Sequence, residues 1–511
     1  MMLTCKIAGG ILALACGACQ PAPTDHPAAA IAAPTLPDVI ASPDIPRPPF
    51  TFASADDAFL DEVAHGAFNF MWHSGDKPNT LGMTPDRTSK PEISIAGVGY
   101  QLSAIIIGVE RGWITREAGE ERTLRILRGL AANPANRKAG LFYHFLDPKT
   151  AGQPGQAYEH VVSTIDSALF FAGVITSSQY FGGEIQTIGD QLVRDADWTF
   201  FRCSTSKNPE DNGFLSLGWQ PANLSKPTGD GHVLPYAWVD NGDEHRLVTF
   251  LAVCAPEPAH RVDGATYYKL RRTLGKYKDG QPFVWFPWSG AMFVSQFSHC
   301  WIDYSAIGPD DPAAFGIPCR SRVDWWENSR RTMEMQRQKA IDHPEKGLSE
   351  SLWGLTASDV AKGYAVPGLF PTRIDMPGCE VGRDYPKEAG KDNYGDGTIA
   401  PYGAGSSIMF DAVKPLESLK YIRSLRETKK LDKLWEDPAT GGYGLADAFN
   451  LKTGWIAPDH LAIDQGPLLI AIENARTGLI WKTFHAHPFV KAGMERLKLS
   501  VNEKLPPAAP K

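Results

Sequence analysis

The chain has 511 residues, 43% of them hydrophobic and 21% charged, with a formal net charge of −7. That is a soluble globular balance with ample length for a large core, and the absence of any Lys/Arg run or basic stripe excludes nucleic acid as an expected partner. Fourteen Trp, 15 Tyr and 24 Phe make the chain aromatic-rich; flat rings fill a core and also suit the apolar faces of sugars.

The first segment, "MMLTCKIAGGILALACGACQPAP", carries one Lys, a short apolar stretch from Ile7 to Ala15, and then small residues. It reads as a bacterial secretory signal over residues 1–19, too short to span a bilayer. Cys16 or Cys19 follows small residues as at a lipoprotein processing site; Cys16, in "LALAC", is the better lipidation candidate. Residues 20–50 are rich in Pro and Ala and are expected to be a disordered tether. A single catalytic unit over 51–500 and a short tail over 501–511 follow. Membrane association is expected only through the lipid anchor, in the periplasm or at the outer membrane. The chain is expected to act as a monomer. Cys203, Cys254, Cys300, Cys319 and Cys379 remain after the signal. Cys254 and Cys300 lie in apolar patterns as core thiols. Cys319 and Cys379 lie in irregular stretches, where an exported protein has room for a disulfide. With no CxxC and no His/Cys zinc spacing, neither metal nor cofactor is expected.

From Ser54 onward the period is helical. "SADDAFLDEVAHGAFNFMW" has Ser54 as N-cap candidate, acids in its first turn, and Phe59, Val63, Ala67 and Met71 at i, i+4 steps. "SIAGVGYQLSAIIIGVERGW" is nearly all apolar, so it is expected to be buried on most sides. "TREAGEERTLRILRGLAAN" places Leu124, Leu127 and Leu130 on one face and charges on the other, as an outer helix does. Further helices are expected at 161–181, 184–202, 243–255, 264–276, 290–304, 324–341, 349–361, 411–427, 460–476 and 484–497. About a dozen helices, alternately buried and amphipathic, with few strands, predict an all-α fold. The expected architecture is an (α/α)6 barrel, a toroid of helix hairpins with long cleft-forming loops. Those loops are 206–243 and 363–407, rich in Gly, Pro, Asp and aromatic residues.

Three acids stand out. Asp166, in "STIDSALFFAGVI", lies three residues after Ser163, on the same helical face. Glu244, in "DNGDEHRLVTFLAV", falls in the first turn of a helix that Asn241 or Asp243 can cap. Asp396, in "NYGDGTIAPYGAGSS", belongs to an Asp-Gly turn pair. The plain readings are dipole-favoured helix starts for the first two and a turn for the third. Two opposed carboxylates are also what glycosidic cleavage needs, one giving a proton and the other activating water or attacking. An acid at a helix N-terminus then needs burial or a negative neighbour to stay protonated, with Asp243 and Asp166 as the available neighbours. Polar residues also interrupt apolar patterns: Gln296, His299 and Asp303 at i, i+3, i+7; Glu327 and Arg331 as an i, i+4 pair; Asp464 and Gln465 before an apolar run. No GxSxG elbow, Walker loop, HExxH or dinucleotide fingerprint is present.

Several blocks occur together in order: "SIAGVGYQLSAIIIGVERGWITREAGEERTLRILRGL", "GLFYHFLDPKT", "STIDSALFFAG", "FVSQFSHCWIDY", "WWENSRRTMEMQRQ", "WGLTASD", "DGTIAPYGAGSS", "YGLADAFN" and "LAIDQGPLLIAIENARTGLIW". Over roughly 55–485 the chain resembles the bacterial glycoamylase-like family, with its endo-β-1,2-glucanases and the transglycosylase region of cyclic β-1,2-glucan synthases. The resemblance implies the same barrel, an open cleft for a linear glucan, and catalysis by Glu244 as general acid with Asp166 and Asp396. It places Arg87, Tyr143, His144, Trp238, Gln296, His299 and Trp353 at the cleft, with Tyr402 and Asp464 as further contacts. The acid usual just before the "ST.D" block is displaced, Glu159 being nearest. The loops 305–323 and 363–391 do not match. A transglycosylase, a hydrolase of another glucan and a non-catalytic glycan-binding lipoprotein are the alternatives.

Overall fold

The computed structural model describes residues 45–155, 160–374 and 389–501. Fourteen α-helices occur among them. The first seven are α1 (Ser54–His73), α2 (Ile95–Glu110), α3 (Arg116–Ala132), α4 (Thr164–Phe181), α5 (Gly183–Asp195), α6 (Asp243–Cys254) and α7 (Ala265–Lys269). The others are α8 (Tyr304–Ile307), α9 (Trp325–Asp342), α10 (Pro401–Gly405), α11 (Lys414–Thr428), α12 (Ala462–Thr477), α13 (Leu479–Ala486) and α14 (Pro488–Arg496).

Burial sorts them into two layers. Every residue of α6 is buried, as is every residue of α2 from Ile95 to Gly108. In α3 burial is confined to one stripe through Arg122, Ile126 and Leu130. The buried members make a ring: α2 packs on α4, α4 on α6, α6 on the 3-10 turns at 292–300, these on α10, and α12 closes back onto α2. Each inner segment has an outer partner: α3 for α2, α5 for α4, α14 for α6, α9 for 292–295, α11 for α10, and α1 for α12. This is the (α/α)6 barrel expected from the alternation, with the C-terminal α14 filling the outer slot beside α6. No helix of the described residues is long and apolar enough to cross a membrane.

One inner segment of the ring is not a regular helix. Over 290–304 the chain forms short 3-10 turns at Met292–Ser295 and Phe297–Cys300, broken at Gln296 (φ −128°, ψ −39°). Gln296 Nε2 donates to Gly403 O at 2.7 Å and Ser407 Oγ at 2.8 Å, so a buried tie replaces helical regularity. Gln296, His299 and Asp303 therefore do not share a helical face. The helix expected over 349–361 is absent: Gly354 sits at φ 82°, and Ser358–Val360 pairs with Gly363–Ala365 as a hairpin. The helix expected over 264–276 stops at Lys269, and Leu274–Lys276 becomes the centre of a small antiparallel sheet with Phe283–Val284 and Thr372–Arg373. Ser54 is the first residue of α1, with Ala53 in the cap position and no side-chain cap. The ion pair of Glu327 with Arg331 forms at 2.7 Å, and Arg330 joins it. Cys319 is disulfide-bonded, Cys203, Cys254 and Cys300 are buried free thiols, and Cys379 lies outside the described residues.

The tightest contact of the ring is between α2 and α4. A Cβ on Gly99 would stand 2.2 Å from Leu169 O, and one on Gly173 would stand 2.1 Å from Gly99 O. Both helices are buried, so neither backbone has room to retreat. Gly173→Ala is therefore expected to lower stability by about 1–3 kcal/mol, measured by chemical denaturation; unchanged stability would show that the helices separate at little cost.

Candidate active site

The long loop after α5 places the first acid. Its strand Gly218–Pro221 pairs with Val162–Ser163, which runs straight into α4. Ser163 caps that helix by accepting from Asp166 N at 3.2 Å. Asp166 is thus the first-turn acid of α4, and it is also buried beside His144, whose Nε2 lies 3.5 Å from Asp166 Oδ1. Trp238 of the same loop donates from Nε1 to Thr164 Oγ1 at 2.9 Å, and its ring stacks on His245 at 4.4 Å. Burial lowers the His245 imidazole to about 4, so it remains neutral, with Nδ1 2.9 Å from Asp240 O.

Glu244 comes from the start of α6. Gly242 occupies the cap position and no side chain caps it, so neither expected cap forms. Asn241 instead accepts from Arg246 Nη1 at 2.8 Å. Asp243 is consumed by Arg246, by Ser298 N and by Ser298 Oγ at 2.7 Å. Glu244, at 9% exposure, makes no ion pair among the described residues. Burial raises its carboxyl well above the ordinary range, with Asp166 and then Asp243 pushing the same way. The helix dipole opposes this, but a first-turn dipole contributes about 0.3–1 kcal/mol at exposed sites, less than the cost of burying a charge.

A second acidic group lines the adjoining floor. Arg87 Nη1 lies 3.0 Å from Asp359 Oδ2 and 3.9 Å from Asp459 Oδ2, and its Nε is 3.4 Å from Asp86 Oδ2. Burial works against the Arg87 charge, but Asp359, Asp86 and Asp459 outweigh it and raise its pKa. Asp86 feels the charges of His144 and Asp166, which ties this floor electrostatically to the first acid. Asp447 and Asp464 lie beyond it, both buried. Sequence reading passed over Asp86, Asp359, Asp447 and Asp459. Asp447 and Asp359 sit inside the blocks "YGLADAFN" and "WGLTASD", where an acid among apolar residues was the available signal.

The remaining expected residues divide clearly. Tyr143 is buried, donates to Pro227 O at 2.5 Å, and is pushed up to about 12 by burial. Gln296 is fully enclosed in its tie to Gly403 and Ser407. His299 lies 2.9 Å from Ser329 Oγ, and Tyr402 donates to Ala357 O at 2.8 Å, both closed to solvent. Trp353 is wholly buried. Gln296, His299, Tyr402 and Trp353 occupy the barrel interior, where a sugar has no access. Asp396 is exposed and forms a turn, its side chain accepting from Thr398 N at 3.0 Å. Glu159 and Cys16 lie outside the described residues. Among the described residues, no group of three or more His, Cys, Asp and Glu side chains is arranged to hold a metal.

The family model Glycoamylase, described as "Putative glucoamylase", matches residues 235–488. The exo β-1,2-glucooligosaccharide sophorohydrolase (non-reducing end) of Parabacteroides distasonis is 26% identical over 480 residues, which cover 88% of this chain and 59% of that protein. The chain thus spans under two thirds of that relative's length. A solved structure from Bacteroides uniformis with the same glucoamylase description superposes with a TM-score of 0.70 at 28% identity, over 88% of this chain and 99% of that one. The endo-β-1,2-glucanase of Chitinophaga pinensis, solved with sophorotriose and glucose, matches with a TM-score of 0.68 at 23% identity, over 88% and 99% of the two chains. At that identity the likeness concerns the fold.

A carboxyl raised by burial costs stability as it ionises. The native pKa of Glu244 lies above its unfolded value, so stability falls as pH rises from the unfolded pKa toward the native one. Glu244→Gln, which cannot ionise, is expected to be more stable than the parent at neutral pH, with the gap closing below about pH 4. Thermal melts across pH check this; a variant less stable at every pH would contradict the assignment of a desolvated acid.

Proposed function

We propose that the chain is a glycoside hydrolase acting on β-1,2-linked glucan, a reading supported by the match of residues 235–488 to the family model Glycoamylase. The observation that carries this reading is that Glu244 and Asp166, both buried, stand in the first turns of the neighbouring inner helices α6 and α4, where burial and the Asp166 charge both raise the Glu244 carboxyl. The names of the similar proteins supply the linkage.

Glu244 gives its proton to the glycosidic oxygen as the bond to the anomeric carbon breaks. The leaving sugar departs as a neutral alcohol, and Glu244 becomes a carboxylate that the helix N-terminus now favours. The dipole that opposed the resting state thus stabilises the state reached during proton transfer. Asp166 is the second carboxylate: it draws a proton from the attacking water or adds directly to the anomeric carbon. His144 sits at its side. Trp238, held flat against the neutral His245 ring, offers a platform for a pyranose face, and Arg87 offers donors to hydroxyl groups from the floor. Asp396, an exposed turn residue, has no part in bond cleavage in this mechanism.

We also propose that the protein is exported and lipidated at Cys16; the tether expected over 20–50 does not extend through 45–50, because Arg47 pairs with Asp324 at 2.6 Å and Phe50 N donates to Ala475 O at 2.7 Å, which docks that stretch on the barrel. The disulfide at Cys319 supports an oxidising compartment.

Reducing-sugar release separates these assignments. The parent is expected to cleave β-1,2-glucan and to leave β-1,3- and β-1,4-glucans intact. Glu244→Gln should lower kcat by about 10²–10⁴-fold while binding substrate, and Asp396→Asn should stay within about twofold of the parent, as a surface change does. Full activity in Glu244→Gln, or loss of it in Asp396→Asn, would overturn these roles.

A further inference from the structure

Beyond the Arg87 floor lie two carboxyl groups that the cleavage chemistry leaves unused. Asp464, third residue of α12, is 1% exposed, and no N–H or O–H of another residue reaches either of its oxygens as hydrogen-bond donor. Asp447 is equally enclosed. Its Oδ1 accepts from Leu461 N at 3.0 Å and from Gln465 Nε2 at 3.1 Å, while its Oδ2 has no such donor. The donors to Asp447, Leu461 N and Gln465 Nε2, lie three residues before and one after Asp464, so the two enclosed carboxyl groups adjoin at the start of α12 and act on each other's charge. Two ionised carboxylates cannot share such a site; one proton between them makes it stable.

We propose that Asp464 carries that proton and donates it to Asp447 Oδ2, making Asp464 a positioning residue for the Arg87 floor rather than a contact for sugar. The connection to Arg87 is continuous. Asp447 fixes the backbone N–H of Leu461, and Leu461 bridges Arg87 in antiparallel fashion. On either side, Ala462 N donates to Asp86 O and Thr88 N to His460 O. Asp459 accepts from Ser89 N at 2.8 Å. The strip 459–462 is thus stitched to 86–89 along its length, and the shared proton anchors its far edge.

The groups facing this proton agree with it. Burial raises the Asp464 carboxyl well above the ordinary range, followed by Asp447, Asp359 and Asp86. Tyr364 and Tyr402, from two other elements, lie within the same field and are themselves pushed up by burial and by these acids. On the other side, His460 and the Leu461 and Gln465 donors favour the ionised form of Asp447. Burial raises Asp447 as well, but Asp447 accepts from two N–H donors and Asp464 from none, and that difference in donors assigns the proton to Asp464.

The inference rests on the glycosidase reading only for what Arg87 does to substrate, so its first test uses none. Infrared difference spectra of the substrate-free full chain at neutral pH should show a protonated-carboxyl band that Asp464→Asn removes and Glu244→Gln leaves in place. Thermal melts should show the parent losing more stability than Asp464→Asn as pH rises above about 4, the ordinary aspartate range, since a raised native pKa costs stability as pH rises from the unfolded value toward the native one. With β-1,2-glucan, Asp464→Asn, whose amide N–H replaces the shared proton, should keep KM within about twofold, whereas Asp464→Ala should raise KM by about tenfold with a smaller change in kcat. An unaltered carboxyl spectrum in Asp464→Asn would overturn the proposal, as would a KM raised as far in that variant as in Asp464→Ala. Absence of glucan cleavage in the parent, with the spectral result as expected, would instead count against the substrate reading alone.

Discussion

The structure turns on one costly placement: a carboxyl without a counter-ion at the N-terminus of a wholly buried helix. In "DNGDEHRLVTFLAV" each neighbouring polar group has a partner. Asp243 holds Arg246 and Ser298, Asn241 holds Arg246, and His245 binds Asp240 O. Glu244 is left to the cleft. Burial removes most of its contact with water, and Asp166 adds a charge of the same sign. A residue kept in that state destabilises the fold at neutral pH, and the large apolar core of the ring is what tolerates it.

The barrel serves this placement directly. Asp166 and Glu244 begin two inner helices that are neighbours in the ring, α4 and α6, so helix packing sets their relation. Both helices start at the same end, where the loop 206–243 joins the Asp166 side to the Glu244 side. That loop reaches α4 through the strand pair of Gly218–Pro221 with Val162–Ser163, and it reaches α6 through Asp240 and Asn241. The floor belongs to another part of the ring, the strip before α12 stitched to residues 86–89. The acid pair and Arg87 thus come from two parts of the ring, linked through the charges of His144 and Asp166 acting on Asp86.

The alternation of buried and amphipathic helices was legible because burial on all sides and burial on one stripe leave different patterns. It failed where tertiary ties replaced helical hydrogen bonds. Residues 290–304 are apolar enough for a helix, yet the Gln296 tie to Gly403 and Ser407 breaks it into turns. At 349–361 a glycine in the left-handed region ends any helix, and no periodicity count registers that. At the site, Glu244 and Asp166 were readable as acids preceding apolar runs. Asp396 matched the same reasoning by motif, but its side chain closes a local turn on Thr398, the reading its Asp-Gly pair favoured. Arg87 entered through the family resemblance, whereas Asp359 and Asp459 come from distant segments that only the fold unites with it, and Asp86, its immediate neighbour, carried no signal of its own in the sequence.

The central claim is the protonation state of Glu244, and a carboxyl titration reads it without substrate. Carbon-13 NMR of glutamate-labelled protein, with Glu244→Gln to assign the resonance, follows the side-chain carboxyl across pH. One glutamate is expected to remain protonated near neutral pH and to be missing from the variant. A Glu244 resonance that titrates near pH 4.5, the ordinary value for a glutamate, would contradict the claim.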